Sequence, residues 1–315
     1  MRVIAVEEHF LMPGLAVSMG DTSGRWPEDA HINDVGEIRL ALMDAAGIDV
    51  QVLSSGGNMF QNMEPAVATD GARRSNDYLA EMISVHPDRF CGFAGLPTPD
   101  PNAAAKELER TVTGFGFKGA MIMGLTNGRF LDDEYFWPIF EAAESLGVPI
   151  YLHPSLPPAV VQKAYYSDLD EKVAGMLSMA AWGWHADTGL HAIRLMASGV
   201  FDRFPKLQII LGHLGESIPY MIDRTAQKLA RFTTKAERPV TEYFQENFYL
   251  STSGMRAHAP WVCALMVVGA DRIMFAVDYP HDDNVKCVST LNTAPISLKD
   301  REKIAHGNAE RLLSM

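Results

Sequence analysis

Short runs rich in Val, Ile, Leu and Phe alternate along the chain with longer stretches in which apolar residues recur every three or four positions. The first pattern belongs to strands buried on both faces, the second to amphipathic helices. Eight apolar runs stand out: 2–9 (RVIAVEEH), 49–55 (DVQVLSS), 89–97 (RFCGFAGLP), 116–124 (GFKGAMIMG), 148–154 (VPIYLHP), 207–215 (LQIILGHLG), 247–254 (NFYLSTSG) and 272–280 (RIMFAVDYP). Between them, 36–46 sets Ile38, Leu40, Leu42 and Met43 around one side of a helix, and 103–112 and 133–147 behave likewise. Asp100-Pro101 supplies a helix start and Gly147 a stop, while 188–207 reads as the longest crossover helix, closing at Phe204-Pro205. Eight strands alternating with helices predict an α/β chain folded as one (β/α)8 barrel over residues 1–315. A doubly wound open sheet has a similar strand count, but no GxGxxG or Walker-type glycine loop follows any strand. Residues 11–35, rich in Gly, Pro, Ser and Asp directly after strand one, read as a lid or an interface arm.

Composition narrows the function classes. With 47% hydrophobic residues in 315, the chain can bury one large core. A formal charge of -12 disfavours nucleic acid and anionic membrane as partners, since both need basic surface. Cys91, Cys263 and Cys287 are far apart, odd in number and without CxxC spacing, which argues against a disulfide framework or a thiolate zinc site. No signal-peptide core follows the N-terminus and no apolar run approaches ~18 residues, so a cytoplasmic protein is expected.

In a barrel enzyme the chemistry gathers at the C-terminal ends of the strands. Strand one ends in Glu7 and His9, strand five in His153, strand six in His213 followed by Glu216, and strand eight in Asp278. Side chains two apart on a strand share a face, so Glu7 and His9 enter the mouth together while Glu8 faces the helix layer or an adjoining loop. A carboxylate in such a place is costly unless paired or bound to a cation. Glu7, His9, His153 and Asp278 form a mixed imidazole and carboxylate set suited to one zinc or manganese ion, with room for water or substrate. A two-metal site would need a bridging group at the end of strand four, which instead carries Met121, Ile122 and Met123; Lys118 lies at the wrong end. His31, His86, His185, His191, His258 and His306 read as surface or packing residues.

The motifs EEHF, YLHP, LGHLGE and VDYPHD, in that order, resemble the amidohydrolase superfamily and its aminocarboxymuconate semialdehyde decarboxylase branch. ALMDAAGID, PDRFCGFAGLP, RLMASGVFDRFPKLQIILGHLGESIPYMIDR and ADRIMFAVDYP are similar to the hydroxybenzoate decarboxylases, such as γ-resorcylate decarboxylase, over essentially the whole chain. The resemblance implies a distorted barrel with one zinc or manganese ion on Glu7, His9, His153 and Asp278. It also implies a His213–Glu216 pair beside the metal, Arg224 and Arg39 as substrate contacts, a small aromatic carboxylate as substrate, and a homodimer or homotetramer. Where an aromatic residue commonly follows the DYP motif, this chain has His281 and then Asp282, which makes His281 a candidate substrate contact and an unusual ring substituent an expectation.

Loss of carbon dioxide from a benzoate without an organic electron sink requires the ring carbon bearing the carboxyl to take up a proton first, and an ortho hydroxyl makes that carbon electron-rich. Asp278 is the expected proton donor, its pKa raised by a low-dielectric mouth, with His213 and Glu216 orienting the hydroxyl or carboxylate. The same ligands would also serve a hydrolase that opens an amide or lactone with metal-bound water, and a silent metal-binding scaffold is the reading outside catalysis.

Overall fold

The computed structural model describes residues 1–15, 30–56, 60–232 and 234–315. Of the expected loop at 11–35, residues 16–29 lie outside the described residues. All eight apolar runs form parallel strands: β1 (Ile4–Phe10), β2 (Val50–Ser55), the pair β3 (Phe90–Gly92) and β4 (Ala94–Gly95), β5 (Ala120–Met123), β6 (Ile150–His153), β7 (Ile209–Leu211), β8 (Phe248–Ser251) and β9 (Ile273–Met274). They pair in the orders β1-β2-β3 and β4-β5-β6-β7-β8-β9. The third run is divided because its two pieces serve different neighbours, β3 bonding to β2 and β4 to β5.

The ring closes where β1 meets the chain beyond β9. Val6 N–H donates to the Phe275 carbonyl at 3.1 Å, Asp278 N–H to the Glu7 carbonyl at 3.0 Å and His9 N–H to the Tyr279 carbonyl at 2.7 Å. The fold is thus the distorted (β/α)8 barrel expected, with its seam between the first and last strands.

Helices α1 (Glu37–Ala46), α2 (Pro65–Val85), α3 (Pro101–Phe115), α4 (Trp137–Leu146), α5 (Ala159–Tyr166), α6 (Glu171–Ser178) and α7 (Gly183–Ala197) fill the first crossovers, and α8 (Ile218–Leu229), α9 (Val240–Asn247), α10 (His258–Val268) and α11 (Asn284–Thr293) the later ones. Asp100 caps α3 by accepting from Asn102 and Ala103 N–H at 3.1 Å each, and Gly147 ends α4 in the left-handed region. The crossover expected as one helix over 188–207 begins earlier and breaks at Gly199, whose φ of 83° no right-handed helix accommodates; Val200–Arg203 resumes as a single turn. No helix among the described residues is long and apolar enough to cross a membrane.

Two apolar layers follow from strand alternation. Ile4, Val6, Val50, Val52, Met121, Met123, Tyr151, Ile210 and Met274 pack inside the ring, while Ala5, Leu53, Ile122, Leu152, Ile209 and Leu211 face the helices. Strict alternation from Ile4 and Val6 would turn Glu8 inward. A register shift between Ala5 and Glu8 intervenes, so Val6 and Glu7 both turn inward and the charged end of β1 changes phase.

Candidate active site

Glu7, His9, His153 and Asp278 converge at the strand ends, each offering one ligand atom within 4.8 Å of the others. His9 Nε2 lies 3.1 Å from Asp278 Oδ1, and His153 Nε2 lies 3.2 Å from Glu7 Oε1. The His9 and His153 rings meet edge to face at 4.8 Å. Four residues separated by up to 271 positions are therefore gathered into one cluster, as their strand-end positions led us to expect.

The surroundings orient the cluster. Tyr151, two residues before His153 on β6, donates its phenol to Glu7 Oε2, and the Ser251 hydroxyl donates to the same oxygen at 2.8 Å. His153 Nδ1 lies 2.8 Å from the Pro154 carbonyl, which fixes a proton on that nitrogen, so that in the neutral ring Nε2 carries the lone pair. Glu7 Oε1 and His153 Nε2 are then two buried acceptor atoms facing each other without a hydrogen-bond partner. Facing lone pairs repel unless a cation lies between them, so the donor set fits a divalent ion. Gly212 packs closely beside them: a Cβ there would stand 3.1 Å from Glu7 Oε2 and 3.2 Å from the Tyr151 hydroxyl, tighter than ordinary contact.

Charge follows the same geometry. Burial works to raise the Glu7 carboxyl, but the His213 and His153 imidazoles outweigh it and bring it down to about 2. At Asp278 burial again works upward, and the neighbouring His213 and His9 imidazoles hold it well below the usual carboxylate range. The expected rise at Asp278 is thus corrected: two flanking imidazoles outweigh the low dielectric. His213 shows the counterpart, since burial works to lower it and the Glu216, Glu7 and Asp278 carboxylates hold it well above an ordinary histidine.

His213 and Glu216 form the expected pair, His213 Nδ1 lying 2.7 Å from Glu216 Oε1, with His213 Nε2 3.6 Å from Asp278 Oδ2. They sit on a turn in which His213, Leu214, Glu216 and Ser217 all have φ between 49° and 66°. Left-handed backbone costs on the order of 1–3 kcal/mol at each non-glycine residue and persists where the surroundings impose it. One such constraint is the His213 N–H, which donates to the Ser253 hydroxyl at 3.0 Å.

The remaining expectations divide. His281 lies beside the cluster, its ring 5.8 Å from that of His9 and its N–H on the Asp278 carbonyl at 2.8 Å. Arg39 lies beneath the surface, its guanidinium taken up by groups of the chain itself. It is fully buried, donating to the carbonyls of Asp34 at 2.9 Å and His9 at 2.6 Å and to Gln51 Oε1 at 3.2 Å, with its guanidinium 4.4 Å from the Tyr279 ring centroid. Burial brings it down to about 10 against the opposing pull of Tyr279, Glu8 and Asp34. Arg224 is exposed on α8 and makes no hydrogen bond or ion pair with the cluster among the described residues.

Glu8, Tyr151 and His185 carry functions the strand and helix patterns did not reveal. Glu8 Oε1 accepts from Val277 N–H at 2.9 Å and Oε2 from Tyr279 N–H at 3.3 Å and from Gln51 Nε2 at 3.2 Å. It therefore grips the backbone on both sides of Asp278. Tyr151 lies unmarked within the apolar run 148–154, and His185 reads in the sequence as a surface or packing residue.

A parallel barrel with a buried two-histidine, two-carboxylate cluster at its strand ends defines a metal-dependent barrel enzyme. The amidohydrolase family model matches residues 10–315, and the chain belongs to that family. It is similar to the γ-resorcylate decarboxylases of a Polaromonas species, at 37% identity, and of a Rhizobium species, at 38%, with 99% of this chain and 98% of each relative covered. Among solved structures it is similar to the dihydroxybenzoic acid decarboxylase of Polaromonas, which carries bound manganese and the inhibitor 2-nitroresorcinol. That match has a TM-score of 0.90 and 38% identity and covers 99% of this chain and 97% of the other.

Proposed function

We propose that this protein catalyses the metal-dependent, non-oxidative decarboxylation of an ortho-hydroxybenzoate, and the reverse carboxylation of the phenol. The observation that carries this reading is the pair of buried, unpartnered acceptor atoms, Glu7 Oε1 and His153 Nε2, within the four-residue cluster. Full-length similarity to hydroxybenzoate decarboxylases supports it.

Glu7, His9, His153 and Asp278 would hold one zinc or manganese ion. Bound there, the ion supplies positive charge that offsets the phenolate and carboxylate of the substrate. Asp278 carries a proton to the ring carbon bearing the carboxylate. The carbon–carbon bond then breaks, its electron pair returns to the ring, and carbon dioxide leaves. His213, 3.6 Å from Asp278 Oδ2, restores the proton, and Glu216 fixes the His213 ring through Nδ1. His281 borders the ring edge and selects among its substituents.

The protein works in the cytoplasm, which suits its three free thiols. It assembles as a homodimer or homotetramer, a state supported by exposed Val160, Tyr165, Val173 and Met176 on α5 and α6 and Tyr220 on α8. Arg224, exposed one turn from Tyr220 on α8, is the further candidate substrate contact.

The test is release of carbon dioxide from a panel of ortho-hydroxybenzoates by zinc-loaded and manganese-loaded protein, beside a chelator-treated control and an Asp278→Asn variant. Metal-dependent release, with loss of turnover by about 10²–10⁴-fold in the variant, is expected. No release from any acid, with one ion bound per chain, would transfer the assignment to hydrolysis of an amide or lactone.

A further inference from the structure

The Glu216 carboxylate is clasped from two sides. His213 takes Oε1, and His185, near the start of α7, places its Nδ1 2.6 Å from Oε2. The His185 and His213 rings stand 4.5 Å apart at a steep angle. Four residues further along the same face of α7, Gly189 lets the Glu216 carbonyl approach so closely that a Cβ would lie 2.8 Å from its oxygen. Helix α7 therefore meets Glu216 at both ends, its side chain through His185 and its backbone through Gly189.

We propose that His185 is a positioning residue for the catalytic pair: it locks the Glu216 rotamer and, through it, the direction in which His213 presents Nε2 to Asp278. The geometry requires this of some donor. Glu216 is buried, so an unpartnered Oε2 would be costly, and a carboxylate free to rotate would release His213 Nδ1. His185 is itself fixed from behind. In the tautomer whose Nδ1–H faces Glu216, its Nε2 accepts from the Trp184 indole N–H at 2.9 Å.

The ligand atoms of His185, His213 and Glu216 also lie within 4.8 Å of one another, which raises a second metal as the competing role. Their contacts of 2.6 and 2.7 Å are those of charge-assisted hydrogen bonds. Ligands held about 2.0–2.2 Å from a common ion are ordinarily spaced more widely, so the triad is a hydrogen-bonded one.

The proposal rests on the decarboxylase reading for its kinetics but not for its spectroscopy. In zinc-loaded wild-type protein labelled with ¹⁵N-histidine, His185 and His213 should each give a slowly exchanging Nδ1–H proton signal at low field. His185→Phe should abolish its own signal, hasten exchange at His213 and lower kcat about 10–100-fold with KM little changed. His185→Gln, which keeps an N–H donor, should restore the His213 signal and part of kcat. Loss of carbon dioxide release in the wild type with both signals present would sink the decarboxylase reading and leave His185 supported. Absence of the His213 Nδ1–H signal in the wild type, unchanged His213 exchange and kcat in His185→Phe, or a second zinc ion per chain lost in that variant would overturn the positioning role. If His185→Phe does not fold, His185→Gln carries the same comparison, and absence of the His213 signal in the wild type still overturns the proposal.

Discussion

Tyr151 shows how much of the site depends on side chains that are not ligands. Its phenol and the Ser251 hydroxyl both occupy Glu7 Oε2, so Oε1 alone faces His153. Burial and the Glu7 carboxylate hold the Tyr151 phenol well above its ordinary range, keeping it a donor. Removing that donor in Tyr151→Phe lets the carboxylate turn, and we expect metal affinity to fall about 10–100-fold, read by zinc titration, with the melting of the apo protein shifted less. The ligands themselves were legible in the sequence because each ends an apolar run, where a charged group is conspicuous. Tyr151 was not, since a tyrosine within such a run is ordinary strand composition until its hydroxyl finds a partner 144 positions away.

At the scale of elements, the barrel seam is joined as much by one side chain as by a ladder. β9 contributes two residues to regular pairing, and beyond it Glu8 holds the Val277 and Tyr279 amides while Arg39 holds the His9 carbonyl. Glu8→Ala would leave two buried backbone N–H groups unpaired, at about 1–3 kcal/mol each. The expected result is an earlier urea midpoint together with weaker metal binding, because Asp278 stands between those two amides. A normal midpoint with normal affinity would show that the seam does not depend on Glu8. Alternation correctly placed Glu7 and His9 on one face, yet the register shift that turns them inward has no residue signature in the EEH motif, being imposed by pairing with β2. Helix boundaries show the same division. Asp100 and Gly147 were readable as caps, while the break at Gly199 lay within a stretch whose apolar spacing continued across it.

For the whole molecule, one pH dependence comes from His191, which lies away from the cluster. Its Nε2 accepts from the Leu131 N–H at 2.7 Å, its ring meets Phe130 edge to face, and burial with the nearby Arg194 brings it down to about 3. Between the unfolded value of about 6.5 and that folded value, the unfolded chain binds a proton the native state refuses. Stability is therefore full above about pH 6.5 and declines as the pH falls toward 3, by at most about 1.4 kcal/mol per unit for this one group. A His191→Gln variant, which retains an acceptor but does not titrate, should show a flatter dependence of the urea midpoint between pH 6.5 and 4; an unaltered slope would assign the acid sensitivity elsewhere. The fold as a whole was readable because eight buried strands repeat one composition, whereas the buried partners of His191 and Arg39 depend on which helix packs where. The meeting of the first strand with the last also has a consequence for biosynthesis. Asp278 leaves the ribosome 271 residues after Glu7, so through that interval the nascent chain carries an incomplete binding site. Metal selection thus falls to the closed barrel.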